Sequence, residues 1–284
     1  MILVADSGST KADWVIIDRS GPKEKVSTVG FNPYFHDEAF MLNALQNSKE
    51  LSVIAENIEK VFFFGAGCSS NERNEIVNKA LSKFFAKANI SIDHDVLAAV
   101  LSTCGDDPGI SCILGTGSNS CFFDGTKIYK NNYGLGFIMG DEGSGSYFGK
   151  KLISHYLYNI LPLQLKQKFE EQFVVNKEIM IANVYNNPNA NVWLASFAKF
   201  YIENRNDPWV IKVVTNGINE FFELSVCGYD NFEKYKIHFV GSIAFYFEEI
   251  VRSVGKEKKA QVDKIIQHPI GNLAEYFWRK EFNY

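Results

Sequence analysis

A short segment near the start of the chain combines an acid, a glycine, three hydroxyl side chains and a lysine. It follows an apolar run that ends at Ala5, and it consists of Asp6, Ser7, Gly8, Ser9, Thr10 and Lys11. Such a turn between two β-strands presents backbone N–H groups with little side-chain obstruction, which suits phosphate oxygens. Asp6, at the end of a buried strand, could hold Mg²⁺ directly or through water, while Thr10 and Lys11 donate to the phosphates. Taken alone, the segment is better explained as a plain hairpin turn, because short glycine motifs have many false positives.

The same kind of turn recurs later in the chain. Residues 114–119 (LGTGSN) align with residues 5–10 (ADSGST), which places Gly117 on Gly8 at an offset of 117 minus 8, or 109 residues. In both segments the aligned glycine is followed by serine, and both segments lie between stretches with the period of β-strands. Two such turns in one chain favour phosphate binding over two unrelated hairpins.

A third glycine-rich segment, residues 139–145 (MGDEGSG), precedes an amphipathic helix. Its simplest role is to begin that helix, because Ser144 can cap it and the two acids complement the positive end of the helix dipole. Carboxylates beside unhindered glycine backbone also suit the hydroxyl groups of a sugar, which donate and accept at fixed spacing. Asp141 is the acid that could bind them.

Two neighbouring patterns fall short of nucleotide motifs. Residues 144–151 (SGSYFGKK) have serine where a P-loop needs its first glycine, and Lys151 where it needs serine or threonine. Gly134, Gly136 and Gly140 have the last glycine one residue too late for a dinucleotide-binding loop, and no strand of a βαβ unit leads into them. We therefore reject both as nucleotide sites.

The hydrophobic pattern divides the chain into two lobes with the same opening. A three-stranded meander followed by alternating helices and strands is expected first, and the meander restarts near residue 111. Residues 105–109 (GDDPG) are the predicted linker, which gives an N-terminal lobe of residues 1–105 and a C-terminal lobe of residues 106–284. Helical insertions enlarge the second lobe, and its last helix could pack back on the first. The predicted strands are 2–5, 13–18, 24–29, 60–64, 90–94, 111–114, 120–123, 127–129, 236–240 and 262–266. The predicted helices are 38–57, 71–87, a short one after residue 95, 144–160, 191–204, 207–226, one through residue 250 and one after residue 269.

Composition narrows the class of protein. The 284 residues allow two domains, and the content of 46% hydrophobic and 22% charged residues is that of a globular protein. A net charge of −4 argues against a nucleic-acid or anionic-membrane partner. No apolar run approaches the roughly 18 residues of a membrane span, and the opening lacks a signal-peptide pattern, so we expect a cytoplasmic protein. The five cysteines form no CxxC pair and are expected to be buried free thiols.

The two turns, the order of the elements and the GDEGS segment together resemble the N-acetylglucosamine kinases of the actin-like, hexokinase-like ATPase superfamily. The resemblance covers nearly the whole chain. It implies an α/β fold of two ribonuclease-H-like lobes with βββαβαβα topology, and ATP, Mg²⁺ and a sugar in an interlobe cleft. On matching positions it implies that ATP is bound by Asp6, Gly8, Ser9, Thr10, Lys11, Thr116, Gly117, Gly241 and Ser242, with Asp6 also at the metal. Gly241 and Ser242 follow a predicted strand and could equally be an ordinary turn.

The same resemblance places the catalytic base at Asp95. This residue ends the segment 91–95 (SIDHD) and precedes an apolar helix. Asp95 would accept the proton of the sugar hydroxyl as that oxygen attacks the γ-phosphate. An N-cap role is the alternative for Asp95. Asp93 is the rival base by proximity, although it alternates to the other face of the strand.

For the sugar, the resemblance implies a set of residues from both predicted lobes, and one of them departs from the family. Leu135 stands where human-type kinases place a tryptophan, so the predicted pocket lacks that aromatic surface. The expected reaction is conversion of N-acetylglucosamine to its 6-phosphate, with N-acetylmuramic acid, glucosamine and other hexoses as alternatives. Asn32 could also act only as a loop-former before Pro33. The implied sugar-binding residues are Asn32, Ser118, Asn119, Gly134, Leu135, Gly136 and Asp141.

Two other classes of the superfamily fit the sequence less well. Activator ATPases of CoA-ester reductases and dehydratases hold an iron–sulfur cluster between two subunits, which needs exposed thiolates, whereas Cys112 and Cys121 lie on apolar strands. Sugar-sensing regulators usually carry an added DNA-binding segment, and no basic or helix-turn-helix extension is present. The sequence leaves the oligomeric state open, with a homodimer among the options.

Overall fold

The structure is a computed structural model that describes residues 1–8, 11–130, 134–174 and 176–282. It divides the chain into two compact units. Residues 1–106 and 268–284 form the first unit, and residues 107–267 form the second. The sequence assigned all of residues 106–284 to the second lobe, so the two divisions differ at the C-terminal end.

A mixed five-stranded sheet is the centre of the first unit. Its strands are β1 (Ile2–Ser7), β2 (Lys11–Asp18), β3 (Gly21–Val29), β4 (Lys60–Gly65) and β5 (Asn89–His94). They lie in the order β3-β2-β1-β4-β5, with β1, β2 and β3 antiparallel and β4 and β5 parallel to β1. The parallel register places Asp6 beside Phe64 and Phe64 beside Asp93. The carboxyl ends of β1, β4 and β5 therefore meet at one edge of the sheet.

Helices cover the sheet of the first unit and bury an aromatic core. They are α1 (Glu38–Gln46), α2 (Lys49–Ile54), α3 (Asn71–Phe84) and α4 (Asp95–Thr103). Trp14, Phe31 and Phe63 are fully buried in contact with one another. The single helix predicted over residues 38–57 is wrong, because Ser48 accepts a hydrogen bond from the Leu51 N–H and starts a new helix.

The second unit repeats this sheet. Its strands are β6 (Gly109–Leu114), β7 (Ser118–Phe123), β8 (Ile128–Lys130), β9 (Lys236–Val240) and β10 (Gln261–Ile266). The order β10-β9-β6-β7-β8 matches the first sheet when β6, β7 and β8 replace β1, β2 and β3. The α/β fold class with two ribonuclease-H-like lobes is thereby confirmed.

Most helices of the second unit are inserted between β8 and β9. In chain order they are α5 (Gly136–Met139), α6 (Gly145–Leu157), α7 (Leu163–Gln172), α8 (Lys177–Tyr185), α9 (Ala190–Ser196), α10 (Ala198–Glu203) and α11 (Pro208–Phe221), and α12 (Ser242–Tyr246) and α13 (Glu248–Glu257) follow β9. The helices predicted over 144–160 and 191–204 are too long, since Asn159 adopts a left-handed conformation and the second region breaks at Phe197. The sequence missed α7, a largely polar helix that buries only Leu165 and Phe169.

The C-terminal helix α14 (Ile270–Phe282) packs on α4 and on the meander of the first unit. The Phe277 ring stacks on Phe62 with ring centroids 4.1 Å apart. The Tyr276 hydroxyl donates to Asp106 Oδ1 at 3.0 Å. Contacts separated by more than 150 residues in sequence therefore decide which unit this helix joins. Within the described residues, none of the helices has the length and apolar character needed to cross a membrane.

The contact between α6 and α9 requires a glycine at position 149. A Cβ atom at Gly149 would lie 2.0 Å from the carbonyl oxygen of Leu194. We expect Gly149→Ala to lower the free energy of unfolding by about 1–3 kcal/mol, because one of the two helices must move. The change is measured as a lower urea midpoint followed by circular dichroism.

The matched control is Gly271→Ala in α14, where an added Cβ would meet no atom within 4 Å. This substitution should be neutral or stabilise the chain by up to about 1 kcal/mol, since it removes backbone freedom from the unfolded state. Equal midpoints for the two variants would contradict the close helix contact.

Candidate functional site

The first glycine turn joins β1 to β2 at the edge where the parallel strands end. Asp6 and Ser7 are the last residues of β1 and Lys11 is the first of β2, so the turn is shorter than the six-residue segment predicted from the sequence. The Gly8 N–H donates to the Lys11 carbonyl at 2.9 Å. The Lys11 ammonium pairs with Asp13 Oδ1 at 2.8 Å. Ser9 and Thr10, which were predicted to contact phosphate, lie outside the described residues.

The Asp6 carboxyl group is in an unusual electrostatic environment. Burial, together with the neighbouring carboxylates of Asp95 and Asp13, raises its pKa to about 7. A divalent cation would offset both effects, and carboxylate, water and phosphate oxygens are the ligands that Mg²⁺ prefers. Among the described residues, no group of three His, Cys, Asp or Glu side chains is arranged to hold a metal ion. Asp6 therefore fits Mg²⁺ as one ligand beside phosphate and water.

Asp95 lies at the first position of α4, directly after β5. The N-cap of α4 is His94, whose Nδ1 accepts from the Leu97 N–H at 3.0 Å. The alternative N-cap role for Asp95 is therefore wrong. Asp95 Oδ1 accepts from the Val96 N–H at 2.9 Å, which holds the carboxylate at the positive end of the helix. Asp93 Oδ1 likewise accepts from the N–H of the next residue, His94, at 2.8 Å, but Asp93 lies within β5 rather than at the start of a helix.

Asn32 is buried beside a glycine that no larger residue could replace. A Cβ atom at Gly67, which has φ +83°, would lie 2.5 Å from Asn32 Oδ1. The same oxygen accepts from the Tyr34 N–H at 3.0 Å, so Asn32 does shape its loop. Asn32 therefore has a part in forming the loop, and its role in sugar binding stays a prediction.

Tyr34, an aromatic residue near Asn32, was not predicted from the sequence. Tyr34 is 60% exposed, and the Arg73 guanidinium lies over its ring at 4.3 Å from the centroid. Arg73 Nε also donates to the Gly67 carbonyl at 2.9 Å. Tyr34 is thus an exposed ring held in place beside a candidate sugar residue. The feature of the sequence that could have identified Tyr34 is its position two residues after Asn32.

The second glycine turn joins β6 to β7 and is held by the start of α6. The N–H groups of Gly145 and Ser146 donate to the carbonyls of Gly115 and Thr116 at 2.8 and 3.0 Å. Ser144 caps α6 by accepting from the Tyr147 N–H, which confirms the predicted cap. The second glycine turn is therefore hydrogen-bonded to the helix start that directly follows the GDEGS segment.

Asp141 contacts this turn directly. Asp141 has a left-handed backbone, with φ +58°, and its Oδ1 accepts from the Ser118 N–H at 3.3 Å. A Cβ atom at Gly117 would lie 2.8 Å from Asp141 Oδ2, so only glycine fits there. Burial raises the pKa of Asp141, whereas the Ser118 N–H and the Lys150 ammonium lower it. The structure thus brings together Gly117, Ser118 and Asp141 of the predicted site.

The other predicted sugar residues of this unit lie close by in the chain. Asn119 follows Ser118 in β7, and its Oδ1 accepts from the Ser120 N–H at 2.9 Å. Gly134, Leu135 and Gly136 are exposed and lead through α5 to Asp141. Leu135 is 51% exposed, so its aliphatic side chain lies at the surface.

A cavity of about 560 Å³ opens beside the second turn. Gly241 connects β9 to α12 with φ +122°, and a Cβ atom there would lie 2.3 Å from the Leu114 carbonyl oxygen. This close approach places Ser242 next to the turn. Gln267 Nε2 donates to the Tyr246 hydroxyl at 3.3 Å at the cavity wall. The cavity is lined by Gly115, Thr116 and Gly145, by Ala195, Ser196, Ala198, Lys199, Ile202 and Glu203 of the inserted helices, and by Ser242, Ile243, Tyr246 and Gln267.

The cysteines are free thiols, as expected. Cys68, Cys104, Cys112 and Cys121 are buried, whereas Cys227 is half-buried rather than fully buried as predicted. Burial raises the pKa of Cys68 to about 12 and also raises that of Cys227. Such thiols are poor metal ligands and poor nucleophiles.

The chain is similar over its whole length to a solved structure from Porphyromonas gingivalis, which is described as a candidate N-acetylglucosamine kinase. The two share 35% identity and a TM-score of 0.93 over 99% of this chain and 100% of that one. A candidate N-acetylglucosamine kinase from Chromobacterium violaceum aligns over 97% of this chain and 98% of that one, with a TM-score of 0.72 and 15% identity. A ROK family glucokinase from Streptomyces griseus, solved with glucose and AMPPNP, aligns over 97% of each chain with a TM-score of 0.55 and 13% identity. These last two show the fold alone.

Comparison with protein-family models and with curated protein sequences gives no match. The 35% identity over the full length of both chains, together with the shared fold, decides the family. This chain belongs to the N-acetylglucosamine-kinase-like sugar kinases of the actin-like, hexokinase-like ATPase superfamily.

Proposed function

We propose that the protein is an ATP- and Mg²⁺-dependent kinase that converts N-acetylglucosamine to its 6-phosphate. The observation that carries the proposal is the cavity beside the second glycine turn, where Thr116 and Ser242 line one space of about 560 Å³. That volume lies within the usual range of small-molecule sites. The relative from Porphyromonas gingivalis, itself described as a candidate N-acetylglucosamine kinase, supports the choice of substrate.

In this proposal both glycine turns bind phosphate groups. Gly8 and Gly117 have no side chain that would cover the backbone of their turns. Asp141 packs against the second turn. The nucleoside would extend from Thr116 and Ser242 towards Tyr246 and Gln267. Bound Mg²⁺ would neutralise phosphate charge, and Asp6 would hold it.

Asp95 would act as the general base. The hydroxyl oxygen of the sugar attacks the γ-phosphorus, its proton passes to the Asp95 carboxylate, and the bond from the γ-phosphorus to the bridging oxygen breaks so that ADP leaves with the electron pair. The helix N-terminus and the Val96 N–H favour the ionised carboxylate that accepts this proton.

The sugar would be bound by polar groups around Asn32 and Asp141. Asp141 would accept hydrogen bonds from sugar hydroxyls. Tyr34, whose ring has the Arg73 guanidinium on one face, would offer its other face to the sugar. N-acetylmuramic acid, glucosamine and other hexoses remain alternative substrates of the same site. The activator ATPase is disfavoured, because the described cysteines include no pair of exposed thiols.

Replacing Asp95 with asparagine tests the base. We expect Asp95→Asn to lower kcat by about 10²–10⁴-fold and to leave sugar affinity nearly unchanged, because the amide keeps the shape and loses the proton acceptor. Steady-state kinetics and calorimetric sugar binding measure the two effects. Asp93→Asn is the matched control and should stay close to wild type. Loss of turnover in the control but not in Asp95→Asn would assign the base to Asp93 instead.

A second substitution tests the sugar contact. Asp141→Asn keeps an acceptor for the Ser118 N–H and removes the charge. The KM for the sugar should rise about tenfold while the affinity for ATP changes by less than about twofold. The control Asp124→Asn alters an acid that caps a turn of the same unit through the Thr126 and Lys127 N–H groups, and it should change neither value. A selective loss of ATP affinity in Asp141→Asn would contradict the assignment.

A panel of sugars tests the reaction itself. With ATP and Mg²⁺, N-acetylglucosamine should give the largest kcat/KM among N-acetylglucosamine, N-acetylmuramic acid, glucosamine and glucose. Phosphorus NMR should place the phosphate on the 6-oxygen. ATP hydrolysis without phosphate transfer to any of the four would reject the sugar-kinase proposal and return the activator class to first place.

A further inference from the structure

Lys150 lies in the second turn of α6 among more acids than it can pair with. Side chains of an α-helix lean towards its N-terminus, so the Lys150 side chain reaches back over the first turn. The acids whose charges act on it most strongly are Asp141 and Glu142, followed by Glu220 of α11, with Lys151 as a like charge. Glu220 is already bound, because its Oε2 accepts from the Tyr147 hydroxyl at 2.7 Å. The Lys150 charge therefore acts mainly on Asp141 and Glu142.

The same ammonium group binds the short helix that precedes Asp141. Lys150 Nζ donates to the carbonyl oxygen of Phe137 in α5. This side chain thus binds residues 136–141 to α6 through a backbone carbonyl, and its charge also attracts the Asp141 carboxylate at the end of the segment.

The segment it holds buries little surface, apart from Phe137 against the core and the bond from the Ser118 N–H to Asp141. α5 spans only Gly136–Met139 and buries none of its residues. Ile138 and Met139 are 76% and 71% exposed. At the other end, Asp141 adopts a left-handed backbone that costs a non-glycine residue on the order of 1 kcal/mol or more. A segment with so little buried surface opens easily unless a specific interaction holds it.

We propose that Lys150 is a positioning residue for sugar binding, which fixes the segment from Gly134 to Asp141 by binding the Phe137 carbonyl and attracting the Asp141 carboxylate. The proposal rests on the proposed function, since it assumes that this segment binds the sugar. Lys150 itself need not contact the substrate. Burial lowers the pKa of Lys150, and the charges of Asp141 and Glu142 oppose this effect.

The adjacent lysine provides a matched control. Lys151 is exposed and its ammonium lies over the Tyr147 ring, 5.1 Å from the centroid. It has the same charge and lies in the same turn of α6, but it faces a different side of the helix. A comparison of Lys150→Met with Lys150→Arg and Lys151→Met therefore separates the effect of the side chain's position from the effect of its charge.

Hydrogen–deuterium exchange of the full chain without ligand is the first readout. In Lys150→Met, the amides of residues 136–141 should exchange about tenfold faster than in wild type. The amides of α6 should keep their wild-type exchange rates. Lys150→Arg should restore slow exchange, because the guanidinium can also bind the carbonyl. Lys151→Met should match wild type. Unchanged exchange in Lys150→Met, or faster exchange along the whole of α6, would overturn the proposal.

Substrate affinity is the second readout. Lys150→Met should raise the KM for the sugar about tenfold with a smaller effect on kcat, leave the Kd for ATP within about twofold, and be rescued by Lys150→Arg. An unchanged KM for the sugar would overturn the positioning role. If wild type phosphorylates no sugar, the proposed function fails and with it the role in sugar binding, while the exchange experiment still decides whether Lys150 holds the segment.

Discussion

The second unit depends on one backbone arrangement, in which the first N–H groups of α6 donate to the carbonyls of Gly115 and Thr116. These bonds satisfy donors that every helix N-terminus leaves free. They also fix the β6–β7 turn, in which the Gly115 N–H donates to the Gly117 carbonyl at 3.0 Å. Gly241 lies close to Leu114, so the start of α6 and the β9–α12 connection both approach this turn.

Close packing around that turn explains why its glycines occur where they do. Gly117 leaves room for the Asp141 carboxylate, and Gly149 lets α9 approach α6. α9 in turn brings Ala195 and Ser196 to the wall of the cavity. The shape of the candidate nucleotide pocket therefore follows from places where a Cβ atom would collide with backbone or with a carboxylate.

Much of this organisation could be predicted from the sequence, because it depends on local patterns. Strand periodicity and repeated Gly-Ser turns predicted both sheets, and Ser144 was identified as a cap from its position before an apolar helix. What local patterns could not show are contacts between distant residues. The close approach of Gly241 to Leu114, the Arg73 side chain over Tyr34 and the return of α14 to the first unit all depend on tertiary packing. The cap of α4 was missed for a different, local reason. His94 Nδ1, rather than a carboxylate of Asp95, accepts the hydrogen bond from the Leu97 N–H.

We propose that both glycine turns bind the phosphates of ATP. Hydrogen–deuterium exchange can show this binding at each turn separately. With a non-hydrolysable ATP analogue and Mg²⁺ bound to the full chain, peptides that cover residues 6–11 and 114–118 should both exchange more slowly. The ordinary hairpin turns at residues 18–21 and 124–127 should keep their rates. Protection of only one glycine turn, or of neither, while calorimetry shows the analogue bound, would contradict the account.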